Sequence, residues 1–113
     1  MSYNLWMGHY HPSVDQMRID TVLASLGHPI RLAIVRALAK GEDKVGLACG
    51  TIDIGVTKAT ATHHWRALRE AGVIRQWQVG RNHFVALRRD DIESRFPGLV
   101  DVVVTAANET SMR

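Results

Sequence analysis

Apolar residues return at helical spacing in four stretches of this chain. Met17, Val22, Leu23 and Leu26 predict a first helix that starts near Ser13 to Asp15 and stops at Gly27. Ile30, Ala33, Ile34, Ala37 and Leu38 predict a second over Pro29–Ala39. Proline suits that first turn because its missing N–H would have no partner there. Thr57 reads as the N-cap of a long helix that ends at Gly72. On this helix Ala61, Trp65 and Leu68 share one face, and Ala59, Thr62, His63, Arg66 and Arg69 fall largely on another. A short helix is expected over Lys44 to about Gly50, although Gly46 and Gly50 lower its propensity. The turn Thr51 to Val56, with Gly55, then leads into the long helix.

From Val73 the period changes to two. Val73 to Val79 and His83 to Leu87 are rich in strand formers, and Gly80, Arg81 and Asn82 make the turn between them. Asp90 or Asp91 is placed to cap a short helix to Phe96. Pro97 interrupts, and a last helix to about Ala107 carries Leu99, Val100, Val103 and Val104 on its apolar side. The order is mainly α with a β-hairpin wing, α-α-α-α-β-β-α, which is a winged helix-turn-helix. Residues 1–12 lack periodicity and are expected as a flexible N-terminal arm. Residues 13–108 then form one domain, and residues 109–113 a tail.

Composition changes this picture little. Hydrophobic residues are 46% and charged residues 22% of 113, as in an ordinary globular chain. Cys49 stands alone, so no internal disulfide is available and a reducing cytoplasm is the expected setting. The N-terminus lacks the basic-then-apolar layout of a signal peptide. Leu99 to Ala107 is too short to span a bilayer and contains Asp101. No membrane partner is expected.

Charge adds more. Lys58, Arg66, Arg69, Arg75, Arg81, Arg88 and Arg89 are opposed within residues 58–89 only by Glu70, a net +6 in a chain of net +3. The remainder therefore carries −3, an asymmetry expected of a face that meets a polyanion. The long helix opens with Thr57, Lys58, Ala59, Thr60, Thr62 and His63, short or polar side chains that allow close approach to a major groove. Helix N-termini also favour anions. Arg66 and Arg69 suit phosphates, and Arg81 at the hairpin tip suits a minor groove, supported by Asn82 and His83. Double-stranded DNA is the expected partner. No nucleophile–base pair or phosphate loop is spaced for catalysis, so neither enzyme activity nor a cofactor is expected.

Two segments carry a resemblance. Gly27-His28-Pro29-Ile30-Arg31-Leu32-Ala33-Ile34-Val35-Arg36-Ala37-Leu38 resembles the opening motif of the ArsR/SmtB family of bacterial repressors. Ile54 to Ile74 resembles its recognition segment, with Thr62 for the usual serine and Trp65 for the usual leucine. The resemblance runs from about residue 20 to 90 and implies a homodimeric winged-helix repressor released from DNA by an inducer. It implies dimerisation through the terminal helices, here Val22, Leu23, Leu99, Val100, Val103 and Val104. Many relatives sense metals, but the paired cysteines of one known site and the last-helix histidine of another are missing here. The inducer is then expected to be a small organic molecule. A metal- or redox-responsive repressor using His9, His11 and Cys49 is one alternative. A winged-helix protein–protein interaction module is another.

Overall fold

The computed structural model describes residues 3–6, 9–41, 46–48 and 55–111. Among the described residues, five helices accompany a two-stranded and a three-stranded antiparallel sheet, mainly helical and consistent with a winged helix-turn-helix domain. The helices are α1 (Ile19–Leu26), α2 (Pro29–Ala39), α3 (Lys58–Ala71), α4 (Arg89–Arg95) and α5 (Leu99–Ser111). The strands are β1 (Tyr3–Trp6), β2 (His9–Pro12), β3 (Leu47–Ala48), β4 (Ile74–Val79) and β5 (Asn82–Leu87).

The helices begin and end where their local chemistry requires it. His28 caps α2 by accepting the Ile30 N–H at its Nδ1, 3.1 Å away, and Pro29 opens the first turn. Thr57 caps α3 by accepting the Thr60 N–H at 3.3 Å. Gly72 closes α3 with φ +93, and the Val73 N–H returns to the Leu68 carbonyl at 3.0 Å. The chain leaves this cap directly into β4. Ile34 and Leu38 from α2, Leu68 from α3, Ile74 and Leu87 from the sheet, and Met17 form the centre of the core. Ala33, expected in that core, is exposed: it lies on the side of α2 opposite Val35 and Leu38.

The expected first helix is divided. Val14–Gln16 form one tight 3-10 turn, and Met17 and Arg18 are extended before α1 begins. Met17 buries its side chain against Gly72 and gives its carbonyl to Nε of Arg95 at 3.1 Å, so neither serves a continuous helix. The helix expected over Lys44 to Gly50 is a strand at Leu47–Ala48, pairing with Val85 and Phe84 of β5. Gly46 before it has φ +73 and faces Trp77 so closely that a β-carbon there would overlap the indole. Lys44, Cys49, Gly50 and most of the turn after them lie outside the described residues. α4 starts at Arg89, so Asp90 and Asp91 occupy its first turn rather than its cap, where they favour the helix dipole. α5 runs past Ala107 to Ser111.

The largest departure is at the N-terminus. The segment expected as a loose arm forms a hairpin in which Tyr3 pairs with Pro12 and Trp6 with His9. β4 is an edge strand in the order β3-β5-β4, so its outward N–H groups need partners. His11, 0% exposed, supplies one by accepting the Gln76 N–H at Nε2, 3.0 Å away. Arg88 fastens the same hairpin by donating to the Pro12 carbonyl at 2.7 Å.

Candidate nucleic-acid interface

α3 divides along its length into two rows. His64, Leu68, Arg69 and Ala71 are buried and Trp65 partly so. Lys58, Ala59, Thr60, Thr62, His63 and Arg66 are exposed. The row begins at the capped N-terminus, where free N–H groups and the helix dipole favour anions. Thr57 is exposed but occupied: its hydroxyl takes the Thr60 N–H and donates to the Thr60 hydroxyl at 3.0 Å. Those two threonines set the start of the helix. Thr62 donates its hydroxyl to the Lys58 carbonyl at 3.0 Å, which leaves its oxygen free to accept. Ala59, His63, Lys58 and Arg66 have no such duty in the cap.

The wing forms a second patch. Val79 pairs with Asn82, so Gly80 and Arg81 make a two-residue loop, with Gly80 at φ +61. The Gln78 amide donates to the Gly80 carbonyl at 2.8 Å and stiffens the turn. Arg81, Asn82 and His83 are exposed at its tip. Behind them Trp77 stacks on Phe84 with centroids 5.7 Å apart, and the Arg75 guanidinium lies 5.1 Å from the Trp77 ring centroid.

Several residues expected at this surface lie elsewhere. Arg69 is 8% exposed, on the side of α3 that meets β4, and donates to the Gln76 side chain at 2.9 Å. It braces the helix against the wing and is removed from the DNA-facing set. Its burial lowers the guanidinium's affinity for a proton. Arg88 is buried between Asp91 and the Pro12 carbonyl, and Arg89 donates to the Ala39 carbonyl at 2.7 Å. Of the seven cations between residues 58 and 89, Lys58, Arg66 and Arg81 are the exposed ones.

The residues expected to dimerise divide similarly. Val22 is 0% exposed, and Val100 and Val103 are buried in the core of the single chain, so they are unavailable to a partner. Leu99 and Val104 are partly buried against that core. Leu23 is 51% exposed, and Ile19 and Val102, absent from the expected set, are also exposed. Ile19 and Leu23 are four apart on α1, a spacing that marks a second apolar stripe beside Val22 and Leu26. The alternative metal cluster of His9, His11 and Cys49 falls partly outside the described residues. His11 Nε2 is committed to the Gln76 amide, and Cys49 lies outside the described residues. Among the described residues, no group of three or more His, Cys, Asp or Glu side chains is arranged to hold a metal.

Residues 26–76, from the end of α1 into β4, match the family described as a helix-turn-helix domain. The chain is also 33% identical over 94 residues to a Bacillus subtilis (strain 168) protein named "Uncharacterized HTH-type transcriptional regulator YceK", covering 80% of this chain and 90% of the relative. The chain belongs to the helix-turn-helix transcriptional regulators.

In this regulator α3 is the last helix within the matched helix-turn-helix segment, and the β4–β5 hairpin with its Gly80-Arg81 tip follows it as the wing of the fold. No single helix of the regulator is long and apolar enough to cross a membrane among the described residues; α1 and α2 meet the test only as a pair bent by 100°. His64 is buried and accepts a hydrogen bond from Arg31, a contact across 33 positions that no local pattern reports.

Proposed function

We propose that this regulator binds a near-palindromic DNA site as a homodimer, represses transcription there, and is released by a small-molecule inducer in the cytoplasm. The observation that carries the DNA-reading part is the exposed row of α3, which runs from its capped N-terminus and bears few structural duties. Thr62 and His63 are assigned to base edges, Lys58 and Arg66 to phosphates, and Arg81, with Asn82 and His83, to the neighbouring groove. Ala59 lets the helix backbone approach. Repression and release follow from the resemblance to the ArsR/SmtB family.

The test is fluorescence anisotropy with DNA from upstream of the regulator's own gene, against a scrambled duplex, across a salt series. Tighter binding to the upstream DNA by about tenfold or more, with a steep salt slope, is expected. No binding to either duplex at low salt would sink the DNA reading and favour a protein–protein module.

The homodimer is assigned to the exposed apolar positions Ile19 and Leu23 of α1 and Val102 of α5. Such side chains on terminal helices suit a self-complementary two-fold contact. Leu23→Asp with Val102→Asp is expected to give a folded monomer by sedimentation. Binding should then fall most on DNA with two half-sites about 34 Å apart, centre to centre. An unchanged sedimentation coefficient would assign the contact to another face.

A further inference from the structure

The best-connected buried polar group of α3 takes no part in its exposed row. His64 accepts a hydrogen bond at Nδ1 from Nε of Arg31 on α2, at 3.1 Å. The same guanidinium donates through Nη1 to the Ser25 carbonyl, in the last turn of α1, at 3.3 Å. One side chain therefore joins all three helices. His28, whose own Nδ1 caps α2, lies against His64 with ring centroids 4.6 Å apart. His63, exposed beside it, is at 5.7 Å.

An imidazole that accepts at Nδ1 holds its proton at Nε2 and is neutral. The groups that act electrostatically on His64 are His28 and Arg31 from the α2 side and His63 from its own helix. α1, β2 and β4 also pack against α3, and among the described residues no acid on them acts on His64. Burial first, and then the electrostatic influence of these neighbours, holds the imidazole below the ordinary histidine range. Protonation would turn the accepting nitrogen into a donor facing the Arg31 donor. The two cations would have to part, and α3 would lose its tie to α2 and α1. His63 is adjacent in sequence and Thr62 two residues away, so a shift of the helix moves the groups assigned to bases. Base reading needs placement to within about half an ångström.

We propose that Arg31 and His64 are positioning residues for the recognition helix, and that protonating His64 weakens sequence-specific DNA binding in acid. The inference rests on the DNA-binding reading above. Because folding depresses the proton affinity of His64, its contribution is fully present above the ordinary histidine pKa of about 6.5 and is lost as pH falls through the lower folded value.

The experiment uses the full chain, a duplex that it selects from a randomised library at about pH 7.5, and a scrambled duplex. The ratio of the two affinities is read down to about pH 5.5. The wild type is expected to lose about tenfold in that ratio, the worth of one buried hydrogen bond. His64→Asn keeps an acceptor near the Nδ1 position but does not titrate, and should hold its ratio flat. His64→Leu should give a low ratio at both ends. Imidazole nitrogen NMR of the wild type supplies a readout independent of the variants' folding: an Nε2–H tautomer is expected, and an Nδ1–H tautomer overturns the pairing. A wild-type chain that selects no duplex overturns the DNA reading itself. One that selects a duplex, with His64→Asn losing the same ratio in acid, overturns the positioning role alone.

Discussion

Gly72→Ala is expected to destabilise the domain by about 2–4 kcal/mol, a large part of the stability of a domain this size. Two costs combine. The backbone at Gly72 has φ +93, a left-handed conformation that a residue with a β-carbon adopts at about 1–2 kcal/mol. A β-carbon there would also lie 2.7 Å from Cγ of Met17 and 3.2 Å from Cγ of Pro12. Met17 is flexible in principle but buried here, so it yields only by disturbing its neighbours. Gly80→Ala separates the terms: its φ is +61 and nothing lies within 4 Å of the added carbon. It should cost only about 1–2 kcal/mol. Urea unfolding of the two variants measures the difference directly. Equal losses would mean that the close approach at Gly72 relaxes freely.

The second large effect concerns binding. Lys58, Arg66 and Arg81 are the exposed cations of the basic segment, two on α3 and one at the wing tip. Replacing all three with alanine should flatten the slope of log affinity against log salt by about 2.7 units if each meets one phosphate. Affinity for any duplex should fall together, because phosphate contacts carry no base information. Stability should stay within about 0.5 kcal/mol, since none of the three is buried. Arg69→Ala should behave in the opposite way. It removes the brace to Gln76 and lowers stability, while leaving the slope in place. If Arg69→Ala alone flattened the slope and the triple variant did not, the interface would have to be redrawn around the other face of α3.

The contrast shows what the sequence conveys and where it stops. α2, α3 and the wing are legible because residues with distinct backbone preferences punctuate them: Pro29, Thr57, Gly72 and Gly80 each sit at a terminus or turn. Helical periodicity also separates Leu68 from His63 and Arg66. It does not separate Arg66 from Arg69, because the side of α3 covered by β4 depends on how the chain turns after Gly72. Charge counting fails for the same reason: Arg88 and Arg89 are spent on backbone carbonyls far away in sequence. The N-terminal hairpin lacks a local signal, since His11 is fixed by a strand edge 65 residues on. β3 has two residues, too few for alternation to register. Val22 and Leu23 are adjacent on an apolar helix, and only packing tells that the first is internal and the second is not.

The two rows of α3 also bear on how such a protein changes over generations. The side chains that hold the helix in place are His64, Leu68, Arg69 and Ala71. Those assigned to DNA, among them Ala59, Thr62, His63 and Arg66, lie outside the core. On that assignment a mutation at Thr62 or His63 would alter what is read with little penalty to the scaffold. Copies of the gene can drift toward new operators one position at a time, each intermediate remaining a folded protein.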